Sequence, residues 1–364
     1  MSHLIPDAPF ETMAQHQVML MLIMAGAIYY LVKGADMLVD GSVGLAYRVG
    51  IPKVIVGATI ISLGTTSPEA AVSVMAAWEG KAGLALGNAV GSIIADTGLI
   101  FGLGCCITVL PADRFVLKRQ GWVKIATGVL LAGLCYLMFW LEGDVATISR
   151  WVGLLMLVLL GGYLAISVFW SRGHPLGDQV ADGDDISELA DISERSTVTM
   201  LGLIVMGLAL VVLSSRFLIG SVTVLAQSWG VPQVVIAATL VAFGTSLPEL
   251  VVGMTAIYRG HKEILVGNVI GADILNVLFV IGASAIAKPL PIIDQTANVP
   301  RIFLYLHLPT MLLMIGLFMC YILWATRQGR FKKWFGYPLL ILYVVYVTVQ
   351  YALEMGGSNV AAPS

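Results

Sequence analysis

Ten apolar runs, separated by short charged or Gly/Pro-rich breaks, leave this chain few folds. They fall at residues 17–46, 52–78, 82–108, 120–141, 148–171, 198–227, 232–258, 262–287, 301–325 and 335–353. About 20 apolar residues in an α-helix cross the ~30 Å hydrocarbon core of a bilayer, and a helix satisfies its own backbone polar groups there. Composition agrees: 58% of the 364 residues are hydrophobic and 12% are charged, against ~25% charged in soluble domains. The expected fold class is an all-α integral membrane protein with ten transmembrane helices. The first and sixth runs exceed one crossing, so tilt or a protruding end is expected. Residues 1–17 carry no Lys or Arg and so lack the basic region of a cleavable signal peptide; the first run is expected to remain as a span. A net charge of −2 without a basic patch gives no reason to expect a nucleic-acid partner.

One stretch breaks the apolar pattern. Inside the second run the chain reads Gly-Thr-Thr-Ser-Pro-Glu at 64–69, and 180 residues later, inside the seventh, Gly-Thr-Ser-Leu-Pro-Glu at 244–249. A charge at the bilayer centre costs at least ~2.5–3.5 kcal/mol, and an apolar bundle offers Glu69 and Glu249 no packing role. The repeat extends further: residues 50–104 align with 230–284 without a gap, with 17 identities in 55 that include Pro68/Pro248, Glu69/Glu249, Gly87/Gly267, Asn88/Asn268 and Gly91/Gly271. Each half has five runs, an odd number, so the second half enters the membrane inverted. Inverted-topology repeats are a mark of secondary transporters, with the ion site at the repeat interface. The chain therefore divides into an N-terminal tail (1–16), a first five-helix repeat (17–172), an acidic linker (173–197), a second five-helix repeat (198–353) and a C-terminal tail (354–364).

Loop charges orient the bundle. With the N-terminus outside, 13 Lys and Arg fall in inside loops and 4 in outside loops. The positive-inside rule then puts both termini outside and the linker in the cytoplasm. The linker carries seven acidic residues between 178 and 194 but lacks the residue order of an EF-hand loop; it reads as a solvated connection. The four cysteines lie in or beside apolar runs without C-x-x-C spacing and read as packing residues.

Proline removes the hydrogen bond to the carbonyl four residues back, which frees the oxygens of Gly64 and Gly244 for a cation. Thr65 and Glu69, like Thr245 and Glu249, stand four apart and are expected to share a helix face. The next run adds Asn88, Ser92 and Asp96 at i, i+4 and i+8; its twin carries Asn268, Ala272 and Asn276, with Asp273 close to that face. Hydroxyl, carbonyl and carboxylate oxygens without imidazole or thiolate suit a hard cation such as Ca²⁺. Singly, a Thr, Ser or Asn in a membrane helix more often bonds a neighbouring helix, and Gly-x-x-x-Gly more often reports packing. Asp273 has the rival reading of a helix brace. Asp36 and Asp40, with Lys33, are placed outside the site, paired locally or with Arg216 on the sixth run.

The two broken-helix motifs, each followed by Gly-Asn-x-x-Gly (87–91 and 267–271), resemble the alpha repeats of the cation/calcium exchanger superfamily. The Gly-Thr-Thr-Ser-Pro-Glu form is similar to its prokaryotic sodium/calcium exchanger-like branch. The resemblance implies an ion site built by the second, third, seventh and eighth spans, with the first and sixth sliding to switch access. It implies Glu69 and Glu249 as calcium carboxylates, aided by Thr65 and Thr245. Sodium sites would draw on the Ser62 and Ala242 carbonyls and on Thr66, Ser246 and Ser92, and the middle pair would be Asp96 and Asn276. Two departures stand out. Asp and Asn are exchanged between the repeats relative to the archaeal pattern, and Ala272 replaces a serine, which removes one hydroxyl from an implied sodium site.

The expected function is exchange of Ca²⁺ for Na⁺ across the bacterial inner membrane by alternating access. No cofactor is expected beyond the transported ions, Ca²⁺ and Na⁺ and in the alternative H⁺. The expected partners are these cations and membrane lipid, the chain acting as a monomer or weak homo-oligomer. The alternatives are an H⁺/Ca²⁺ exchanger on the same scaffold and a passive cation channel. A membrane hydrolase lacks its constellation, since of five histidines only His307 falls within a run.

Overall fold

The computed structural model describes residues 17–172, 196–229, 244–293 and 301–358. The N-terminal tail, nearly all of the acidic linker, the first half of the seventh run with Ala242, and the last six residues lie outside the described residues. Eleven helical segments follow: α1 (Gln17–Val49), α2 (Lys53–Thr65), α3 (Ser67–Trp78), α4 (Ala82–Ile107), α5 (Arg114–Glu142), α6 (Arg150–Arg172), α7 (Thr197–Ser228), α8 (Leu247–Tyr258), α9 (Lys262–Ala287), α10 (Phe303–Gln328) and α11 (Gly336–Ser358). Eight of them are long and apolar enough to cross a membrane, while α2 and α8 are shorter apolar helices.

The second run is thus two helices, because the chain turns at Thr66 and restarts at Ser67 with Pro68 in the first turn. Proline suits that position, where its missing N–H has no intrahelical partner anyway. The second copy bends at Thr245 and Ser246 and restarts as α8 with Pro248 in its first turn. Both restarted helices end alike. Gly80 (φ 85°) and Gly260 (φ 81°) take the left-handed conformation, and the next N–H reaches back to Ala76 O and Ala256 O, each at 2.8 Å. This is a Schellman end, which glycine adopts without steric cost.

Helices α4 and α9 also match. Each runs as an α-helix for 14 residues, widens into a π-helical segment of 6 beginning at Asp96 or Asn276, and returns to an α-helix for 6. Helix α9 is the centre of the molecule: 94% of its apolar window is buried, against 17% for α11 and 22% for α6, whose apolar surface faces outward. Glycine brings α9 onto α2. A β-carbon at Gly267 would run into Val54 O, and one at Gly271 into Ala58 O. Helices α1 and α7 cross antiparallel in backbone contact, Gly34 against Gly207 and Gly41 against Met200. With parts of α2 and α8 they form an apolar cluster separate from the main core.

Among the described residues, four two-residue strands join a helical architecture. β1 (Leu110–Pro111) pairs antiparallel with β4 (Arg330–Phe331), and β2 (Thr147–Ile148) pairs with β3 (Leu290–Pro291). β1 follows α4 and β3 follows α9, 180 residues later, so each half lends one strand to the other. The four cysteines are free thiols.

Asp36 and Asp40 behave differently from the expectation of local or Arg216 pairing: Arg259, just beyond α8, reaches Asp36 at 3.2 Å and Asp40 at 3.8 Å. The physical reason is that α1 runs directly past the end of α8, which lets a long guanidinium serve two carboxylates one turn apart. Next to it, Lys53 Nζ lies 3.0 Å from His261 Nδ1.

Two outcomes follow. Gly267→Ala drives a β-carbon into the α2 backbone and lowers thermal stability by about 1–3 kcal/mol or more, whereas Ala at the exposed Gly133, with open space around it, is near neutral; thermal unfolding in detergent compares them. Burial, with the positive charges of Lys53 and Arg259, pushes the His261 imidazole down to about 4. An unfolded histidine titrates near 6.5, so the neutral ring contributes stability that is complete above about pH 6.5 and lost as pH falls toward 4. The melting temperature should drop across that window, and His261→Gln should flatten that part of the slope.

Candidate ion site

The two restarted helices place Glu69 and Glu249 in their first turns, where the positive end of the helix dipole favours a carboxylate. Both are buried, at 1% and 2% exposure. Neither oxygen of Glu69 has a hydrogen-bond partner, nor does Glu249 Oε2. Glu249 Oε1 accepts a long bond from Thr66 Oγ1 (3.4 Å), so a hydroxyl from one break reaches the carboxylate of the other.

Asp96 and Asn276 occupy matched positions at the start of the π-helical segments of α4 and α9. π-Helical turns expose backbone groups and recur at functional sites. The packing is crosswise: α3 lies against the turn that begins at Asn276, and α8 against the one that begins at Asp96. Both oxygens of Asp96, the amide oxygen of Asn276 and the hydroxyls of Ser92 and Ser246 are buried without a hydrogen bond of ordinary geometry, with Ser246 near enough to act on Asp96. Glu69, Glu249 and Asp96 lie within electrostatic reach of one another. Among the described residues no three His, Cys, Asp or Glu side chains converge tightly enough to form a ready-made metal cage.

The other expected residues divide between shell and scaffold. Thr65 Oγ1 makes long contacts to Ser62 O (3.4 Å) and Asn268 Oδ1 (3.5 Å). It closes α2, so it does not share a continuous helix face with Glu69; the turn at Thr66 intervenes. Ser62 is buried, and its carbonyl accepts the Thr66 N–H at 2.8 Å. The carbonyl of Leu63 accepts from Ser67 Oγ at 2.6 Å. Asn88 binds Ser73 Oγ (2.9 Å) and Glu69 O (3.4 Å), holding α4 to α3. Asn268 is fully buried with its Nδ2 unpartnered, and Thr245 and Ser246 are buried at the second break.

Asp273 is brought to the rim of this group, but its Oδ2 is held by Lys124 Nζ at 2.6 Å and Thr97 Oγ1 at 2.7 Å. Lys124 falls within the fourth apolar run, 120–141. The signal was there, since a lysine inside a membrane helix must find an acidic partner. Arg216 on α7 also acts electrostatically on Glu69.

Similarity to known proteins agrees with this geometry. The sodium/calcium exchanger protein family pattern matches residues 19–169 and 199–352. The sodium/calcium exchanger MaX1 of Methanosarcina acetivorans is 27% identical over 350 residues, covering 90% of this chain and 97% of that protein. The inner membrane protein YrbG of Escherichia coli is 31% identical over 260 residues, covering 71% of this chain and 77% of that protein. A structure of the sodium-calcium exchanger NCX_Mj soaked with 10 mM Na⁺ and zero Ca²⁺ superposes with a TM-score of 0.72 at 25% identity, covering 92% of this chain and 99% of that one. With membrane-length apolar helices and a match across both halves, this chain is an integral membrane protein that belongs to the sodium/calcium exchanger protein family.

Proposed function

We propose that the chain is a secondary antiporter that exchanges Ca²⁺ for Na⁺ by alternating access, built as ten membrane crossings in two inverted five-helix repeats. The observation that carries this reading is the burial of Glu69, Glu249 and Asp96, whose five unpartnered carboxylate oxygens come from both halves of the chain. Such charges in low dielectric demand a counter-charge. One Ca²⁺ or several Na⁺ would supply it, and only the neutralised site would pass between the two faces. Thr65, Thr66, Thr245, Ser246, Ser92, Ser62, Asn88, Asn268, Asn276 and the Ala242 carbonyl are the oxygen donors we assign around the three carboxylates.

Other observations support the inverted arrangement. Helices α1 and α7 cross antiparallel, and the strand pairs exchange between halves as a two-fold axis requires. Both helix breaks abut α7, Gly64 against Leu208 and Gly244 against Ile219. A slide of the separately packed α1/α7 pair across the breaks is the access switch we assign. The loop charges orient both termini outside and the linker in the cytoplasm.

Proton coupling is the second reading, favoured by Ala272. It is fully buried and offers no hydroxyl at a position where its repeat partner is Ser92. Calcium uptake into proteoliposomes decides between the two: a Na⁺ gradient drives it if sodium is coupled, and a pH gradient alone drives it if protons are. In the same assay Glu69→Gln, Glu249→Gln and Asp96→Asn should each lower uptake at least ~10-fold, the scale of one lost charge-assisted contact of about 1.5–3 kcal/mol. Normal uptake by Glu69→Gln would sink the assignment.

A further inference from the structure

Lys124 reaches from α5 into the middle of the bundle and is 2% exposed. Its ammonium donates to Asp273 Oδ2 at 2.6 Å and Thr97 Oγ1 at 2.8 Å, and sits 3.7 Å from the centroid of the Phe318 ring. Two oxygens and one aromatic face thus take up the three N–H bonds of the ammonium. Thr97 donates onward to Asp273 Oδ2 at 2.7 Å.

A packing brace would end there, but this group continues into the ion site. Thr97 follows Asp96, both of whose oxygens are unpartnered, and Asn276 lies three residues beyond Asp273. Asp273 keeps its second oxygen buried and unpartnered as well. The repeat supplies a comparison within the molecule. The positions equivalent to Asp273 and Thr97 are Ile93 and Val277, both fully buried apolar residues, so apolar side chains satisfy packing at these places. A buried ion pair is weak evidence of stabilisation, since apolar substitutes often do as well. The charge count gives the pair another role: Asp273 is a fourth buried carboxylate beside Glu69, Glu249 and Asp96, and among the described residues Lys124 is the basic side chain in direct ion-pair contact with one of the four, Arg216 acting on Glu69 without such a contact.

We propose that Lys124 is a tethered cation of the transport site, held on Asp273 and Thr97 where a mobile monovalent cation would otherwise bind. It thereby lowers by one the number of monovalent cations exchanged for each Ca²⁺. An ammonium and a dehydrated alkali ion make the same demand, one positive charge among hard oxygen donors, but the lysine cannot leave. The inference rests on the exchanger reading above.

The test uses the full chain in proteoliposomes with a clamped membrane potential. With the potential held at zero, the Ca²⁺ gradient at which a known gradient of the coupling cation just halts net radiocalcium flux gives the number of coupling cations per Ca²⁺. Lys124→Met frees the Asp273 carboxylate and should raise that number by about one. Asp273→Asn leaves the ammonium to neutralise another carboxylate and should lower it by about one. The double variant, neutral as a pair, should return the wild-type number. Sodium displacement of bound Ca²⁺ from detergent-purified protein reads the same change as a steeper or shallower Na⁺ dependence, even in a variant that does not transport. An unchanged number in both single variants overturns the proposal. So does a folded double variant alongside two single variants that fail to fold, which would assign the pair to packing alone. If wild type is driven by protons, the same shifts are read with protons as the coupling ion. Uncoupled calcium flux in wild type would instead contradict the exchanger reading, before any variant is made.

Discussion

Carboxylate oxygens held out of water without partners carry a free-energy cost that no packing around them removes, and this chain gathers three carboxylates with such oxygens from both of its halves. Glu69, Glu249 and Asp96 leave five oxygens unsatisfied at the centre of a bundle whose surroundings are apolar. Their helices are arranged to hold that charge in place. Two helices break so that each glutamate enters at a positive N-terminal end, and two others widen into π-helical turns where Asp96 and Asn276 begin. Each broken helix packs on the widened turn of the opposite half. Neither half therefore owns the site.

Close backbone approach makes that crossing possible. Gly267 and Gly271 let α9 lie directly on α2, with no room for a methyl group between them. Gly34, Gly41 and Gly207 do the same for α1 and α7. Small residues at helix contacts are the usual solution in a bilayer, where the hydrophobic effect gives helices little reason to associate. The apolar cluster that joins α1 and α7 to parts of α2 and α8 is distinct from the main core.

Much of this was legible in the sequence because the bilayer penalises the informative residues so heavily. Where residues are described, the apolar runs match helices whose ends shift by a few residues at most, except where α5 and α11 extend beyond theirs. The two glutamates and Asp96 stood out as charges without local partners, and the 180-residue repeat paired them. What stayed hidden was partnership between distant segments. Lys124 with Asp273, and Arg259 with Asp36 and Asp40, are contacts across 149 and more than 200 positions that no local spacing announces. The Thr65–Glu69 spacing suggested one helix face, and the turn at Thr66 separates them. The short strands escaped notice because Leu-Pro and Arg-Phe carry no strand pattern of their own; only the meeting of two loop ends creates them.

The central claim is that one buried cluster of carboxylates is neutralised alternately by Ca²⁺ and by monovalent cations. Calorimetric titration of Ca²⁺ into purified protein at a series of Na⁺ concentrations tests it most directly. The account predicts Ca²⁺ binding whose affinity falls steeply as Na⁺ rises, and which disappears when Glu69 and Glu249 are both changed to Gln. Calcium binding that persists in that double variant would contradict it.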